Sequence, residues 1–455
     1  MLRAGSLQLS CHALIARRVS MQFGWRRAVM RRTLLQTVGA AGLAGTARAQ
    51  APVTLRVMTL QRAPGQLQAY EAMVRSFEAA NPGIRVSILP VSQTDLWPKL
   101  AAAYAGGDVP DLVLQITSEN AVSLYGQGLV LPMDDVIRDI GEEDFEPAAR
   151  NLFKDRGSYF AAPASNNCVS LLWYRTDLLQ EAGLTPPRTW AEMINVARRL
   201  TRGGVYGASL PYGKTAMTNS ITWTLIYQAG GRVIAPDGSV VFNSDATVAM
   251  LEFVKEMHQF CPPGANRYDF FDVLNAYVTG QSATCMYTGR AIGNVNAENP
   301  ALADKISVVP FPLQSADRPW WSGAFECIVI PKAARNVEAA RKFAAWNFKK
   351  DTYIDFINAT PGHQIPMLRS ISSSPEYLGH PLLVRYRKEL DISIDTLSRA
   401  HATCKPTDDY PLITKAGEIQ GSGVFADTIQ RVVIEGMPPR RAAAMGQDRI
   451  ARLMR

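Results

Sequence analysis

The sequence predicts an α/β protein that folds into two lobes. Patterns typical of strands and helices alternate from residue 53 onward, as expected for a sheet covered by helices. In residues 157–183 two extended runs meet end to end through the polar residues 165–167, without turning back at a glycine. We interpret this stretch as a strand that leaves one lobe and enters the other. The alternative is an ordinary strand-loop-strand unit inside one domain.

Composition and charge exclude one class of partner. The chain has 455 residues, 47% apolar and 19% charged, which is typical of a globular protein large enough for two cores. The net charge of +8 comes from residues 1–49, which hold eight of the 48 basic residues and no acidic one. The remainder therefore has 40 basic and 40 acidic residues. With no basic excess there, we expect no nucleic-acid partner.

Residues 1–49 are predicted to be a twin-arginine signal peptide. Arg31 and Arg32 precede a short apolar run at 36–46, and Ala47-Arg48-Ala49 follows as a cleavage pattern. The run is too short for a permanent membrane helix. We expect cleavage after Ala49 and a soluble periplasmic product, with a Sec signal as the alternative. Translation could start at Met1 or at Met30, since the signal is complete from Met30 onward.

The first half of the mature chain alternates strand and helix. Residues 53–58 alternate as a strand, 84–89 form a second strand, and a third spans 109–115. Between the first two strands, apolar residues recur on one face of a helix, at Tyr70, Met73, Val74 and Phe77. Asp95 is the expected cap of the next helix, and Ser118 of the helix after the third strand. This order predicts a mainly parallel sheet, with ligands beyond the carboxyl ends of its strands.

The second half continues the alternation with clearer helix starts. Thr189 and Glu192 form a capping box, and Ser244 is the expected cap of another helix. Residues 283–287, 306–311 and 325–330 read as strands, with helices at 336–349 and over much of 376–455. Five cysteines without metal-like spacing remain after the leader, and we expect them to be mainly buried thiols with at most two disulfides. They are Cys168, Cys261, Cys285, Cys327 and Cys404.

Seven motifs in order resemble the extracellular solute-binding proteins of the sugar-transporter type, the group that contains maltose-binding protein. They are residues 106–113 (GGDVPDLV), 124–135 (LYGQGLVLPMDD), 172–179 (LWYRTDLL), 187–192 (PRTWAE), 230–231 (GG), 338–343 (EAARKF) and 434–442 (IEGMPPRRA). The resemblance implies a periplasmic-binding-protein-like fold of type II, with two discontinuous α/β lobes around a cleft with hinge crossings. The expected lobes are residues 50–165 plus 306–348, and 166–305 plus 349–455.

The resemblance also implies a function. The chain would be the substrate-binding component of an ABC importer, a monomer that takes a sugar or related hydroxylated solute to the transmembrane permease subunits. Sugar phosphates and glycerol phosphate derivatives fall within the same expectation. Family members do no chemistry, so we expect no cofactor, and no motif of a hydrolase, dinucleotide enzyme or metalloprotease is present. Alternatives are a metal or organic-acid carrier or a chemosensory co-receptor on the same fold, and an exported enzyme is disfavoured.

A saccharide presents hydroxyls and a flat apolar face, so aromatic residues are the first candidates for its site. Trp320 and Trp321, followed by Gly323, stand where the family approaches ligand with a glycine-rich turn. Tyr287 and Gly289 match the family's glycine-aromatic loop. Tandem tryptophans are costly to leave exposed, so we expect at least one to line the cleft. Packing between the lobes is the alternative.

Arg290 replaces the tryptophan that usually follows this glycine in the family. A guanidinium matches a phosphate group, so this departure admits an anionic solute. Pairing with an acid at the surface is the alternative. The remaining candidates are amide, hydroxyl and ring side chains at the crossing, at strand ends and in loops. They are Gln61, Arg62, Gln115, Thr117, Asn166, Asn167, Trp223 and His363.

Overall fold

The computed structural model describes residues 52–455, and the predicted signal peptide lies outside them. Twelve strands are present in this described part. They are β1 (Val53–Thr59), β2 (Ile84–Pro90), β3 (Leu112–Thr117), β4 (Lys154–Asp155), β5 (Ser158–Tyr159), β6 (Ala162–Cys168), β7 (Leu171–Arg175), β8 (Thr284–Met286), β9 (Ile306–Pro310), β10 (Trp321–Val329), β11 (Ile365–Pro366) and β12 (Ala400–His401).

Twenty α-helices occur in the same residues, together with three short 3-10 helices. The α-helices are α1 (Pro64–Ala80), α2 (Gln93–Gly106), α3 (Ser118–Gly126), α4 (Asp134–Ile140), α5 (Pro147–Phe153), α6 (Thr176–Glu181), α7 (Trp190–Leu200), α8 (Ala216–Gln228), α9 (Asp245–His258), α10 (Phe270–Val278), α11 (Arg290–Glu298), α12 (Val337–Trp346), α13 (Lys350–Asn358), α14 (Arg369–Ser372), α15 (Pro375–Leu378), α16 (Pro381–Arg385), α17 (Arg387–Ser398), α18 (Ala416–Gly421), α19 (Val424–Val433) and α20 (Pro439–Leu453).

The larger sheet has seven strands and mixed direction. Its order is β11-β6-β10-β3-β1-β2, and β12 pairs with β10. β1 runs parallel to β2 and β3, but β10 runs antiparallel to both β3 and β6. The prediction of a mainly parallel sheet is therefore wrong for the sheet as a whole. Since β3 and β6 both oppose β10, β1, β3 and β6 all point the same way, and their carboxyl ends meet at one edge.

A second sheet has three antiparallel strands in the order β8-β7-β9. β6 lies in the large sheet and β7 in the small one, so residues 157–183 do pass from one sheet to another. The passage occurs at Val169 and Ser170, after the polar residues 165–167, which belong to β6. β10 then enters the large sheet from the small one, which is why it opposes β6.

Two boundaries differ from the expected lobe limits. β9, at 306–310, pairs with β7 in the small sheet, and the first later strand of the large sheet is β10, which begins at Trp321. α13 packs against α1, with the rings of Tyr70 and Phe356 4.6 Å apart. The strand pairing thus keeps residues 306–310 with the second sheet, whereas α13 lies against a helix of the first. The division into two lobes remains a proposal.

Local sequence signals set several helix starts. The capping box of Thr189 and Glu192 is confirmed at α7, and the Ser244 cap is confirmed at α9. α2 is capped by Ser92, whose side chain accepts from the backbone N–H of Asp95, so the predicted Asp95 cap is three residues late. Ser118 is the first residue of α3 and not its cap. The short side chain nearest the orphan N–H groups takes the cap position.

The hydrophobic core runs through both sheets. Trp173 on β7 and Leu114 on β3 are completely buried. All five cysteines in residues 52–455 are free and buried, as expected for small apolar side chains. No helix in the described part combines the length and apolar character needed to span a membrane.

Asp111 joins the start of β3 to β1 and α12. It is 2% exposed and accepts from the backbone N–H groups of Arg56 (3.0 Å), Arg335 (2.9 Å) and Asn336 (3.0 Å). We expect Asp111→Ala to lower the free energy of unfolding by about 3 kcal/mol, because it leaves buried donors without an acceptor. Urea unfolding measures this loss.

The matched control is Asp108→Ala. Asp108 also pairs with Arg56, but its side chain is 68% exposed. Its loss should change the free energy of unfolding by less than about 1 kcal/mol. Equal losses for the two variants would contradict the role given to Asp111.

Candidate functional site

A cleft of about 390 Å³ lies at the edge where the strands of the large sheet end. Its first side comes from the carboxyl ends of β1, β3 and β6, from β10 and from the start of α2. Its second side comes from the end of β8 and the starts of α8, α10 and α11. The lining residues are Leu60, Gln61, Arg62, Ala63, Ser92, Gln93, Thr94, Asp95, Thr117, Asn167, Val169, Thr215, Met217, Ser220, Ile221, Asp269, Phe270, Phe271, Met286, Tyr287, Thr288, Arg290, Ala324, Glu326 and His363.

Strand register places the polar floor of the cleft. Glu326 on β10 pairs with Thr117 on β3 and with Ser165 on β6, so the three residues form a row across the sheet. Asn167 and Ala324 form the next row. Residues two apart on a strand share a face, which is why Ala324 and Glu326 both line the cleft. The sheet thus offers carboxylate, hydroxyl and amide groups at one place.

Glu326 is the centre of the floor. It is 7% exposed, and its carboxylate accepts from Gln61 Nε2 at 3.2 Å to each oxygen and from Gln364 Nε2 at 2.6 Å. Ser165 Oγ lies 3.0 Å from Oε2. Oε2 therefore has three neighbours and Oε1 only one, so Oε1 retains the capacity to accept from a solute.

A chain of side-chain hydrogen bonds links Glu326 to the other side of the cleft. Gln66 Nε2 on α1 donates to Gln364 Oε1 at 2.9 Å, and Arg290 Nη2 on α11 donates to Gln66 Oε1 at 3.2 Å. Gln66 and Gln364 are completely buried. These amides hold the guanidinium of Arg290 in a fixed position relative to the carboxylate, because each amide uses both its donor and its acceptor.

Burial shifts the pKa values of Glu326, Arg290 and His363. Burial raises the pKa of Glu326 to about 7, while hydrogen bonds from Gln364 and Ser165 and the charge of Arg290 work in the opposite direction. Burial also lowers the pKa of Arg290, and the charge of Glu326 opposes that shift. The pKa of His363 is well below its ordinary value because of burial and the nearby Arg290. His363 is therefore uncharged at neutral pH.

Aromatic rings form the opposite wall. Tyr287 follows β8, and Phe270 and Phe271 begin α10, where the side chain of Asp269 caps the helix. Phe271 is 51% exposed, and the guanidinium carbon of Arg62 lies 5.8 Å from the centre of its ring. This contact joins the two sides of the cleft at its mouth, and the backbone N–H of Ala216 reaches Thr94 Oγ1 at 3.4 Å beside it.

Half of the fourteen predicted site residues line this cleft. Tyr287 and Arg290 approach from the second side, and the rest come from the strand ends and from the loop before β11. The seven are Gln61, Arg62, Thr117, Asn167, Tyr287, Arg290 and His363.

Three predicted residues support the floor from behind. Gln115 has a left-handed backbone, with φ of 54°, and its Oε1 lies 2.9 Å from Ser165 Oγ. Asn166 points to the opposite face of β6 from Asn167. A Cβ on Gly323 would lie 2.8 Å from Asn166 Oδ1, so Gly323 permits the close approach of β10 and β6 and does not itself line the cleft.

The tandem tryptophans pack in the core instead of lining the cleft. Trp320 Nε1 donates to the carbonyl of Pro406 at 3.1 Å, and its ring lies 4.9 Å from that of Tyr227. Trp321 Nε1 donates to the carbonyl of Phe311 at 3.3 Å. Both tryptophans are therefore buried by packing within the protein, and neither lines the cleft.

Trp223 and Gly289 also lie outside the lining. Trp223 is in the middle of α8, fully buried, with its ring 5.2 Å from that of Phe425. A Cβ on Gly289 would lie 1.9 Å from the carbonyl oxygen of Gly362. Gly289 therefore lets the loop before α11 meet the loop that carries His363.

Sequence reasoning missed Glu326, Gln66, Gln364 and the phenylalanine pair at the start of α10. Glu326 had a visible signal, since it is the only acidic residue in the otherwise apolar run 325–330. A lone charge in a buried strand must be paired or functional. Gln66 and Gln364 gave no such signal, because glutamine is common in helices and loops.

Comparison with known proteins agrees with this fold. The model of the bacterial extracellular solute-binding proteins matches residues 72–383. The chain belongs to this family. The matched region includes the site described above except for the end of β1 and Gln66 on α1.

Three proteins illustrate the degree of sequence and structural similarity. The mannitol-binding protein of Pseudomonas aeruginosa is 25% identical over 92% of this chain and 97% of its own length. The maltose-bound MalE3 of T. maritima has a TM-score of 0.76 at 19% identity, covering 88% of this chain and 100% of that one. A solute-binding protein of Agrobacterium radiobacter K84 in complex with ribitol has a TM-score of 0.74 at 21% identity, covering 89% and 99%.

The raised pKa of Glu326 predicts a pH-dependent stability. With a pKa of about 7 in the folded state against 4.5 ordinarily, the folded protein binds more protons between these values. Its stability therefore falls as the pH rises through this window. Relative to Glu326→Gln, the free energy of unfolding of the wild type should fall by about 3 kcal/mol from pH 4.5 to pH 8.

Urea unfolding of both proteins at several pH values checks this prediction. The variant serves as the reference because it retains all the other titrating groups. Parallel stability curves for the two proteins would show that Glu326 titrates normally.

Proposed function

We propose that this protein is the solute-binding component of an ABC importer and that it holds a sugar or polyol in the cleft. The observation that carries the proposal is the floor, where Glu326, Thr117 and Asn167 face an aromatic wall across a cavity of suitable size. Family membership and the mannitol-binding relative support it.

Each part of the cleft suits one part of such a solute. A hydroxyl can donate to Glu326 Oε1, and the amide of Asn167, which also lines the cleft, can pair with a second hydroxyl. Thr117 can donate and accept at once. The C–H face of the solute would pack on Tyr287 and Phe270, as carbohydrate faces pack on aromatic rings.

The wider role follows from the family. The two sheets would belong to two lobes that close on the solute, and the closed form would dock on the transmembrane permease subunits. We propose that the mature protein begins at Gln50 after export to the periplasm, acts as a monomer and performs no chemistry on the solute. Among residues 52–455 no group of three His, Cys, Asp or Glu side chains could hold a metal.

Titration calorimetry on the 50–455 protein, refolded to remove any carried solute, tests this function. The panel is mannitol, ribitol, maltose, organic acids, amino acids and divalent metals. Binding of a neutral sugar or polyol is the expected result, and it should also raise the melting temperature, because such a ligand binds only the folded state. Binding confined to amino acids, organic acids or metals would overturn the proposal.

Two neighbouring asparagines offer a matched pair of variants. The side-chain oxygens of both Asn166 and Asn167 lack a partner among the described residues, but only Asn167 lines the cleft. Asn167→Ala should weaken solute binding roughly tenfold or more, since it removes one hydrogen bond to the solute. Asn166→Ala should leave the affinity unchanged. Equal effects in the calorimeter would contradict this placement of the site.

A further inference from the structure

Arg290 is not a free cation in this cleft. Its guanidinium donates to Gln66, which is bonded through Gln364 to the carboxylate of Glu326. Arg290 and Glu326 also interact through their charges. The sequence admitted a phosphate at Arg290, but any anion placed there would share the floor with a buried carboxylate.

The other charged residues of the cleft do not offset Glu326. Asp269 is used as the cap of α10, accepting from the backbone N–H groups of Phe271 and Asp272. Arg62 lies at the mouth over the ring of Phe271. Asp95 lies in the first turn of α2, on the same side as the mouth. The deep part of the cleft therefore holds the buried carboxylate of Glu326 and the partly buried guanidinium of Arg290, which is linked to it through Gln66 and Gln364.

We propose that Glu326 makes the cleft selective for uncharged polyhydroxylated solutes and excludes their phosphate monoesters. This inference rests on the proposed function and names the solute class of the same site. Oε1 of Glu326 can accept a hydrogen bond from a hydroxyl group, and a neutral sugar or polyol carries several such groups. A phosphate monoester brings negative charge and acceptor oxygens to the same place, where they repel the carboxylate.

Coulomb's law gives the order of magnitude of the effect for an assumed separation of the charges. Two like charges about 6 Å apart in a partly buried site, with an effective dielectric constant of about 20, disfavour binding roughly a hundredfold. The positive charge of Arg290 reduces this repulsion, but its guanidinium donates to Gln66 and forms no ion pair with Glu326 within residues 52–455, so it does not neutralise the carboxylate directly.

Calorimetry at pH 8, above the pKa of about 7 of Glu326, tests the inference. The probes are mannitol, ribitol and maltose, each with its phosphate monoester at a terminal hydroxyl. The wild type should bind the neutral form of its solute roughly a hundredfold more tightly than the ester. Glu326→Gln should reduce this ratio at least tenfold.

Glu119→Gln is the matched control. Glu119 is also a buried carboxylate with a pKa raised by burial, but it lies on α3 outside the cleft and accepts from Thr403 Oγ1 at 2.6 Å. Its replacement removes a buried charge of the same kind elsewhere, so the ratio of affinities should stay at the wild-type value. An equal change in both variants would overturn the role of Glu326.

The wild type alone also decides the question if Glu326→Gln fails to fold. The terminal amine analogue of the bound polyol carries a positive charge, so it should bind at least as tightly as the neutral form. Rejection of the amine as well as the ester would point to exclusion by size and overturn the inference. Equal affinity for the ester and the neutral form would overturn only this inference. If none of the neutral probes bound, both the proposed function and this inference would be overturned.

Discussion

The buried carboxylate of Glu326 is the constraint on which the site depends. It lies on the strand that the large sheet receives from the small one, between β3 and β6. A buried charge is costly unless hydrogen bonds satisfy it, and here Gln61, Gln364 and Ser165 do so. These donors come from three separate chain segments. Satisfying one carboxylate therefore fixes the end of β1, β6 and the loop before β11 around a single point.

The position of Glu326 also accounts for an irregular backbone conformation in β3. Gln115 is in the left-handed region with φ of 54°, where a residue with a side chain is uncommon. The register between β3 and β10 shifts just there, between Cys327 and Val329. This irregularity in β3 places the side chain of Gln115 against Ser165, beneath Glu326. Such conformations persist where the surrounding structure holds them in place, which occurs most often at functional sites.

Much of the fold could be predicted from the sequence because its signals are local. The alternation at 53–58, the helix face of Tyr70 and Phe77, and the capping box at Thr189 each depend on neighbours within a few residues. The direction of β10 in the large sheet could not be predicted from such local signals. It depends on the side from which the chain re-enters the sheet after leaving the small one. The position of Trp320 depends likewise on Pro406, which lies 86 residues further along the chain.

The residues that form the core differ from those that line the cleft. Family membership therefore determines the fold more closely than it determines the solute. Neighbours with identities of 19% and 21% keep the architecture, since a core needs only apolar volume in the right order. The lining is set by few side chains, and a change at one of them alters the chemistry offered to a solute. Arg290 shows this: read alone it suggests an anion site, but the chain through Gln66 and Gln364 ties it to Glu326. The role of Arg290 therefore depends on Glu326, and the class of solute must be inferred from the two residues together.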